Sequence, residues 1–314
     1  MLRYLEKQFE SKICRSYRPF LKEEWEQEKS RDMFYVNYGA ASPVCTEFRL
    51  RLANAMASQL GKRQIVAEVP GADTKQKNVL PFAQTMGFYY VNGVNRICPE
   101  QPLDERESEY YTRLGYFLGE GRHPVNTALF APDEEECRMF SRHGIPYHIL
   151  TNTGMTKYGF TDGDTIGCGK YRYDYLAISS GAVLTGLSEN YVRAFAENGG
   201  KLLLLGEKPV REGNGRQELS CLESNCTFGR IGAAQTHRLK DAETEIYSTY
   251  RNLNGMEFLY AVNVSLRKTY QQTFDCGEKV HSFLKLDLMD DSTQQLPLTV
   301  TLKPGEGVIL IPYA

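Results

Sequence analysis

Several familiar signals are absent from this chain of 314 residues. Its eight cysteines and five histidines form no CxxC or HExxH motif, so the sequence indicates neither a zinc site nor a redox pair. No apolar run reaches the roughly 20 residues that a membrane-spanning helix requires, and the start of the chain is too charged for a signal-peptide core. We therefore expect no metal, no cofactor and no membrane contact. The scattered thiols slightly favour a cytoplasmic location.

The chain also lacks an excess of charge of either sign. Lys plus Arg number 37 and Asp plus Glu number 39, giving a formal net charge of −2. Such a balance provides no overall attraction to nucleic acid, so a neutral partner is the better expectation. The 20 tyrosines and 15 phenylalanines suit either a carbohydrate surface or an ordinary core.

The first third of the sequence alternates strand and helix patterns. The runs MFYVNYG, QIVAEVPG and VNRICP predict strands, with helices over TEFRLRLANAMASQLG and from about Thr74 to Tyr90 between them. This is the rhythm of a (β/α) barrel. A complete barrel takes about 250 residues, so residues 1–109 can hold only its last repeats.

The rest of the chain predicts two further units. Residues 110–215 alternate helices with the apolar runs NTALFAP, PYHILT, YDYLAISS and KLLLLGEKP, which indicates an open, flavodoxin-like α/β domain. Within it, Ser188 is the predicted N-cap of a helix that ends at Gly199-Gly200. Residues 216–245 show no period and predict an irregular linker. Residues 246–314 contain six alternating runs separated by turns such as Asn254-Gly255, which predicts an antiparallel β-sandwich.

Four of these segments carry a family resemblance. In order, ASQLGKRQIVAEVPG, FAQTMGFYYVNGVN, YYTRLGYFLGEGRHPVNTALFAP and YDYLAISSG with FAENGGKLLLLGEKP resemble the later part of bacterial α-L-rhamnosidases and β-galactosidases. In those glycoside hydrolases the catalytic barrel is followed by a domain similar to class I glutamine amidotransferases. The tail RNLNGMEFLYAVNVS…LKPGEGVILIP is similar to the β-sandwich that ends many of them. The resemblance implies carbohydrate as the substrate.

The resemblance also implies a catalytic carboxylate at a strand end, where Glu68 is the matching position. Independently, an ionisable residue that closes an apolar parallel strand would lie at the mouth of a barrel, where active sites assemble. A rim salt bridge, or a charge favouring the next helix, is the structural alternative. Asn37, Tyr38, Asn95 and Glu100 are candidate substrate contacts at the same mouth. Asn95 also suits a turn before a strand, and Glu100 suits a solvated loop.

Three functions remain open at this level. The first is a glycoside hydrolase, which needs two carboxyl groups, although the resemblance would place the second on an earlier strand. The second is a non-catalytic module that binds carbohydrate or a partner chain, and the α/β domain could mediate homo-oligomer contacts. The third is an amidotransferase-like enzyme, which needs a reactive thiol on a strand-to-helix turn. That turn is Gly181-Ala182 here and has no thiol.

Overall fold

A computed structural model describes residues 33–37, 43–59, 64–69, 82–99, 103–120, 123–213, 217–235, 237–240, 245–288 and 292–313. Positions 33–37, 43–46, 68, 98 and 99 are among those described by their backbone alone. The described chain forms a mixed α/β structure with several antiparallel sheets. None of the described helices is long and apolar enough to cross a membrane.

The first part contains a three-stranded parallel sheet in the order β1-β2-β3. Its elements are β1 (Met33–Asn37), α1 (Pro43–Gln59), β2 (Gln64–Val69), α2 (Phe82–Val91), β3 (Arg96–Pro99) and α3 (Glu105–Glu120). The three predicted strands are confirmed. Of the helix predicted from Thr74, residues 74–81 lie outside the described residues, and the described helix runs from Phe82 to Val91.

Helix α1 is buried on two sides. Leu50, Ala53 and Met56 join a core with α2 and α3, whereas Ala55 joins a second core that contains Phe140. An amphipathic helix with one apolar face would reach only one of these cores. Helix α1 therefore connects the first part of the chain to the second.

The second part is built around a four-stranded parallel sheet in the order β11-β9-β4-β5. Its elements are β4 (Thr127–Phe130), α4 (Glu134–Arg142), β5 (His148–Leu150), α5 (Asn152–Tyr158), β6 (Gly159–Asp162), β7 (Thr165–Cys168), β8 (Tyr171–Tyr173), β9 (Tyr175–Ile178), β10 (Val183–Leu184), α6 (Gly186–Glu197), β11 (Lys201–Leu204), β12 (Val210–Arg211), β13 (Gln217–Glu218) and α7 (Phe228–Ala233). Strands β6, β7 and β8 form an antiparallel sheet.

Helices cover both faces of this parallel sheet. Leu176 of β9 packs in the same core as Phe195 of α6, and the next residue, Ala177, packs with Phe140 of α4. Successive residues of a strand face opposite sides of a sheet, so a strand covered on both faces must be apolar at every position. This requirement explains the uninterrupted apolar runs that predict these strands.

The helix boundaries in this part support one prediction and correct another. The acidic start of α4 is a capping box, in which Asp133 accepts a hydrogen bond from the Glu136 N–H and Glu136 accepts one from the Asp133 N–H. The N-cap of α6 is Thr185 and not Ser188, because the helix begins at Gly186 and the Ser188 side chain is buried inside its first turn. Gly199 adopts φ +84° just beyond the end of α6, as predicted.

The segment predicted as an irregular linker has a different structure where it is described. It contains β13, helix α7 and β14 (Arg238–Leu239). Leu219 and Leu222 are buried against one face of the four-stranded sheet, and Cys226 and Ile231 against the other. These apolar residues are too few and too irregularly spaced to predict an element, yet they extend the core.

The last part consists of antiparallel strands, as predicted. After β14 come β15 (Ile246–Leu253), β16 (Met256–Asn263), β17 (Tyr270–Asp275), β18 (Ser282–Leu286), β19 (Thr293–Pro297), β20 (Thr299–Leu302) and β21 (Gly307–Tyr313). They form a five-stranded sheet in the order β15-β16-β21-β18-β19 and a three-stranded sheet in the order β14-β17-β20. Asn254 and Gly255 have φ values of +53° and +91° and make the predicted two-residue turn between β15 and β16.

Strands β16 and β21 of the five-stranded sheet are buried on both faces. On one face, Leu259 and Leu310 pack in a core with Phe274 of the three-stranded sheet. On the other face, Phe258 and Tyr260 belong to the core that contains α2 and α3. The antiparallel sheet therefore also completes the core of the first part of the chain.

Tyr260 is a tightly enclosed contact across this junction. Its ring is fully buried, and its hydroxyl lies 3.5 Å from that of Tyr110 on α3. A Cβ atom at Gly87 of α2 or at Gly307 of β21 would collide with the Tyr260 hydroxyl. Both glycines are therefore required by the close approach of helix and strand to this side chain.

We expect Gly87→Ala to lower the free energy of unfolding by about 1–3 kcal/mol, the usual cost of overpacking a core. Alanine normally stabilises a helix relative to glycine, so the expected loss of stability is opposite to the effect of intrinsic helix propensity. Adding Tyr260→Phe should recover part of the loss, since the ring carbon Cζ lies 3.3 Å from the new methyl group. Urea unfolding midpoints measure both effects. Gly186→Ala is the control, because no atom lies within 4 Å of its Cβ position, and an equal loss there would contradict the explanation.

Candidate functional site

Three positions lie side by side near the carboxyl ends of β1, β2 and β3. Asn37 pairs with Glu68, and Glu68 pairs with Cys98 on its other side. Glu68 thus occupies the middle strand of the parallel sheet, one residue before that strand ends. Tyr38 and Glu100, the other two predicted contacts on this edge, lie outside the described residues.

Asn95 lies at the opposite end of the same strands from Glu68, in the turn before a strand that its sequence context also suits. Its amide oxygen accepts a hydrogen bond from the Ile65 N–H at 2.8 Å, and its own N–H donates to the Ile65 oxygen at 3.2 Å. Ile65 precedes Glu68 by three residues, which is about 10 Å along a strand. Asn95 therefore stabilises the turn that leads into β3.

The carboxyl edge of the second parallel sheet offers no thiol at its strand-to-helix turn. After β9 the chain continues with Ser179, Ser180 and Gly181, and Gly181 has φ +61°. The carboxylate of Glu136 lies nearby and accepts a hydrogen bond from the Ser180 N–H at 3.2 Å. The turn after β9 is hydrogen-bonded and contains no cysteine, which glutamine cleavage would require.

Three of the described thiols are also poor nucleophiles. Burial raises the pKa of Cys168 to about 12, raises that of Cys276 to about 12 with a contribution from Asp275, and raises that of Cys137 further. A catalytic cysteine needs a lowered pKa. The amidotransferase reading therefore finds no support in these three cysteines. Among the described residues, no group of three or more His, Cys, Asp or Glu side chains is arranged to hold a metal ion.

A buried polar cluster, which the sequence did not predict, lies where α1 meets β15. Glu47 accepts a hydrogen bond from the Tyr247 hydroxyl at 2.9 Å, and the Arg51 guanidinium lies 5.1 Å from the centre of the Tyr147 ring. Arg251 of β15 donates to the backbone oxygen of Tyr90 at 2.9 Å. Burial and the proximity of Arg51 lower the pKa of Arg251 to about 10.

This cluster is enclosed and therefore structural. Glu47, Arg51 and Arg251 are at most 5% exposed, so a substrate in solution does not reach them. The charged side chains connect α1 and α2 to the antiparallel sheet. Glu47 and Arg51 are four residues apart, a spacing that places two residues of a helix on the same face.

His148 and His237 are buried, and His123 is half-buried beside the Tyr250 backbone. His148 lies 3.0 Å from the Tyr173 hydroxyl, and burial together with Arg51 lowers its pKa to about 3. Burial lowers the pKa of His237 to about 4 and that of His123 well below its usual range. All three side chains are therefore neutral in the folded protein near neutral pH.

We expect stability to fall as the pH drops from 6.5 to 5. The unfolded chain binds protons at histidine below its ordinary pKa of about 6.5, whereas the folded chain does not bind them at these three positions. Each such histidine should reduce the free energy of unfolding by up to about 1.4 kcal/mol per pH unit in this window. Urea unfolding at several pH values measures the slope.

The variant His148→Gln should reduce that slope by the contribution of one histidine, which is up to about 1.4 kcal/mol per pH unit. His281→Gln makes the same substitution at an exposed position and serves as the control. Equal slopes for His148→Gln and the unchanged chain would contradict a neutral, buried His148.

Comparison with solved structures finds a similar fold in glycoside hydrolases. A rhamnosidase from Novosphingobium sp. PP1Y superposes with a TM-score of 0.64 at 14% identity, over 92% of this chain and 35% of that one. A β-galactosidase from Bacillus circulans sp. alkalophilus gives 0.57 at 11% identity, over 92% and 61%. A β-galactosidase from Rahnella sp. R3 gives 0.54 at 10% identity, over 92% and 61%.

These similarities establish a glycosidase-like fold. The chain spans about a third of the rhamnosidase and about three fifths of the β-galactosidases. No protein-family model matches the sequence, and no curated protein matches it either.

Proposed function

We propose that this chain is part of a glycoside hydrolase and that Glu68 is one of its catalytic carboxylates. The observation that carries the proposal is the position of Glu68 near the carboxyl end of the middle strand of a parallel sheet. In (β/α) barrels, catalytic residues come from this end of the strands. The fold similarity to a rhamnosidase and to β-galactosidases supports carbohydrate as the substrate.

The proposed architecture follows the same comparison. Residues 1–109 would be the last repeats of a (β/α) barrel, and residues 110–215 an amidotransferase-like domain without its catalytic thiol. Residues 246–314 would be a closing β-sandwich, and the buried residues of 216–245 would belong to the α/β domain. The three-stranded parallel sheet, the doubly covered four-stranded sheet and the two facing antiparallel sheets support this division.

At the proposed site, Glu68 would act as nucleophile or as general acid and base. Glycoside hydrolysis uses two carboxyl groups on either side of the scissile bond, about 5–9.5 Å apart. The second carboxylate would come from a preceding strand of the barrel. Asn37, which pairs with Glu68, would bind sugar hydroxyls together with Tyr38 and Glu100.

We expect Glu68→Gln to lower kcat/KM by about 10²- to 10⁴-fold, the usual contribution of a general acid or base. The assay is hydrolysis of nitrophenyl α-L-rhamnoside and β-D-galactoside by the full-length protein that carries this chain. Glu105→Gln, the same change at an exposed position at the start of α3, should leave the rate unchanged. A Glu68→Gln rate within about tenfold of the unchanged protein would show that Glu68 is not a catalytic carboxylate.

A non-catalytic module that binds carbohydrate or a partner chain is the second candidate. A shared fold does not fix a function, so the similarity to glycoside hydrolases is compatible with it. Saturable binding of sugars without hydrolysis by the full-length protein would support the module over the enzyme. The homo-oligomer formed through the α/β domain stays a prediction, which light scattering can test. The exposed Val183 and Leu187 supply apolar surface for such a contact.

A further inference from the structure

A cavity of about 290 Å³ lies where the second part of the chain meets the antiparallel sheets. It is bounded by the turn after α4, by helix α7 and by strands β14 and β17. Small-molecule sites occur preferentially at junctions between structural units and have volumes of roughly 300–1,000 Å³. This cavity is at the lower limit of that range, so it suits a ligand of about one ring.

Part of the cavity lining is apolar. Ile145 and Leu239 are buried in its wall. The ring of Phe228 is held edge-on by Phe140 at 5.1 Å and by His143 at 4.9 Å between ring centres. A fixed aromatic ring beside aliphatic side chains offers a surface for the apolar face of a ligand.

The lining also contains hydrogen-bonding groups. His143 Nδ1 lies 2.8 Å from the Met139 backbone oxygen, and a carbonyl only accepts, so Nδ1 carries the hydrogen. In the neutral ring Nε2 is then an acceptor. The Asp275 carboxylate accepts hydrogen bonds, among them one from the Gly277 N–H at 3.3 Å. Lys240 is exposed at the rim and donates.

We propose that this cavity binds a single neutral sugar residue. Two acceptors and one donor match the hydroxyl groups of a sugar, and the apolar wall matches the C–H face of its ring. Asp275 and Lys240 carry opposite charges, so the cavity has no net charge that would favour an ionic ligand. The proposal goes beyond hydrolysis at Glu68, because it requires binding only and uses residues of the second and third parts of the chain.

The test is calorimetric titration of the protein with D-galactose, L-rhamnose and D-xylose. We expect saturable binding of at least one sugar with a Kd of about 1 mM, in keeping with the few atoms of a single ring. Gly229→Leu should weaken this binding at least about tenfold, since Gly229 lines the cavity and no atom lies within 4 Å of its Cβ position. The leucine therefore adds bulk beside the cavity at a position where its Cβ meets no other atom.

Gly186→Leu is the matched control, because it places the same side chain in the first turn of α6, at an equally open position outside the cavity. Its affinity should equal that of the unchanged protein, and Asp275→Asn should weaken binding as Gly229→Leu does. Equal affinities for the two leucine variants, or no saturable binding of any of the three sugars, would overturn the proposal. If L-serine bound more tightly than every sugar, the claim that the ligand is a sugar would be overturned. The titration measures no turnover, so its outcome is independent of catalysis by Glu68.

Discussion

The contact of Tyr260 with Gly87 and Gly307 is the constraint on which the arrangement of the chain depends. Tyr260 belongs to the antiparallel sheet, but its ring is buried among helices of the first part. Helix α2 can approach the sheet this closely only because residue 87 has no side chain. Nearby, Gln84 of the same helix donates hydrogen bonds to the backbone oxygens of Asn263 and Ser265 at 2.8 and 3.0 Å. The three-stranded parallel sheet and the antiparallel sheet thus share one core.

The parts of the fold that the sequence predicts are those whose pattern is set by neighbouring residues along the chain. The strands of the four-stranded sheet are predictable because burial on both faces demands unbroken apolar runs. The turn at Asn254-Gly255 is predictable because it requires two positive φ values. By contrast, α7 and the burial of Leu219 and Ile231 depend on contacts with a distant sheet, which no local period reports.

Prediction of the candidate site from the sequence is limited in the same way. The strand pattern predicts that Glu68 lies near a strand end, and the register places it level with Asn37. Asn95 precedes its strand, and its hydrogen bonds with Ile65 place it at the opposite end of these strands. The burial of Glu47 and Arg51 was not expected, because charged residues on a helix are normally exposed. Their partners lie far along the chain, for example Tyr247.

The most direct test of the shared core is native-state hydrogen exchange. If α2 and β16 are parts of one cooperative core, the backbone amides of Phe88 and Tyr260 should exchange through the same opening, with equal free energies and equal dependence on urea. We expect equal values for the two amides, because neither element can separate without exposing the packing around Tyr260. Exchange of Phe88 through a smaller opening while Tyr260 stays protected would show that the first part unfolds by itself, and would contradict the account.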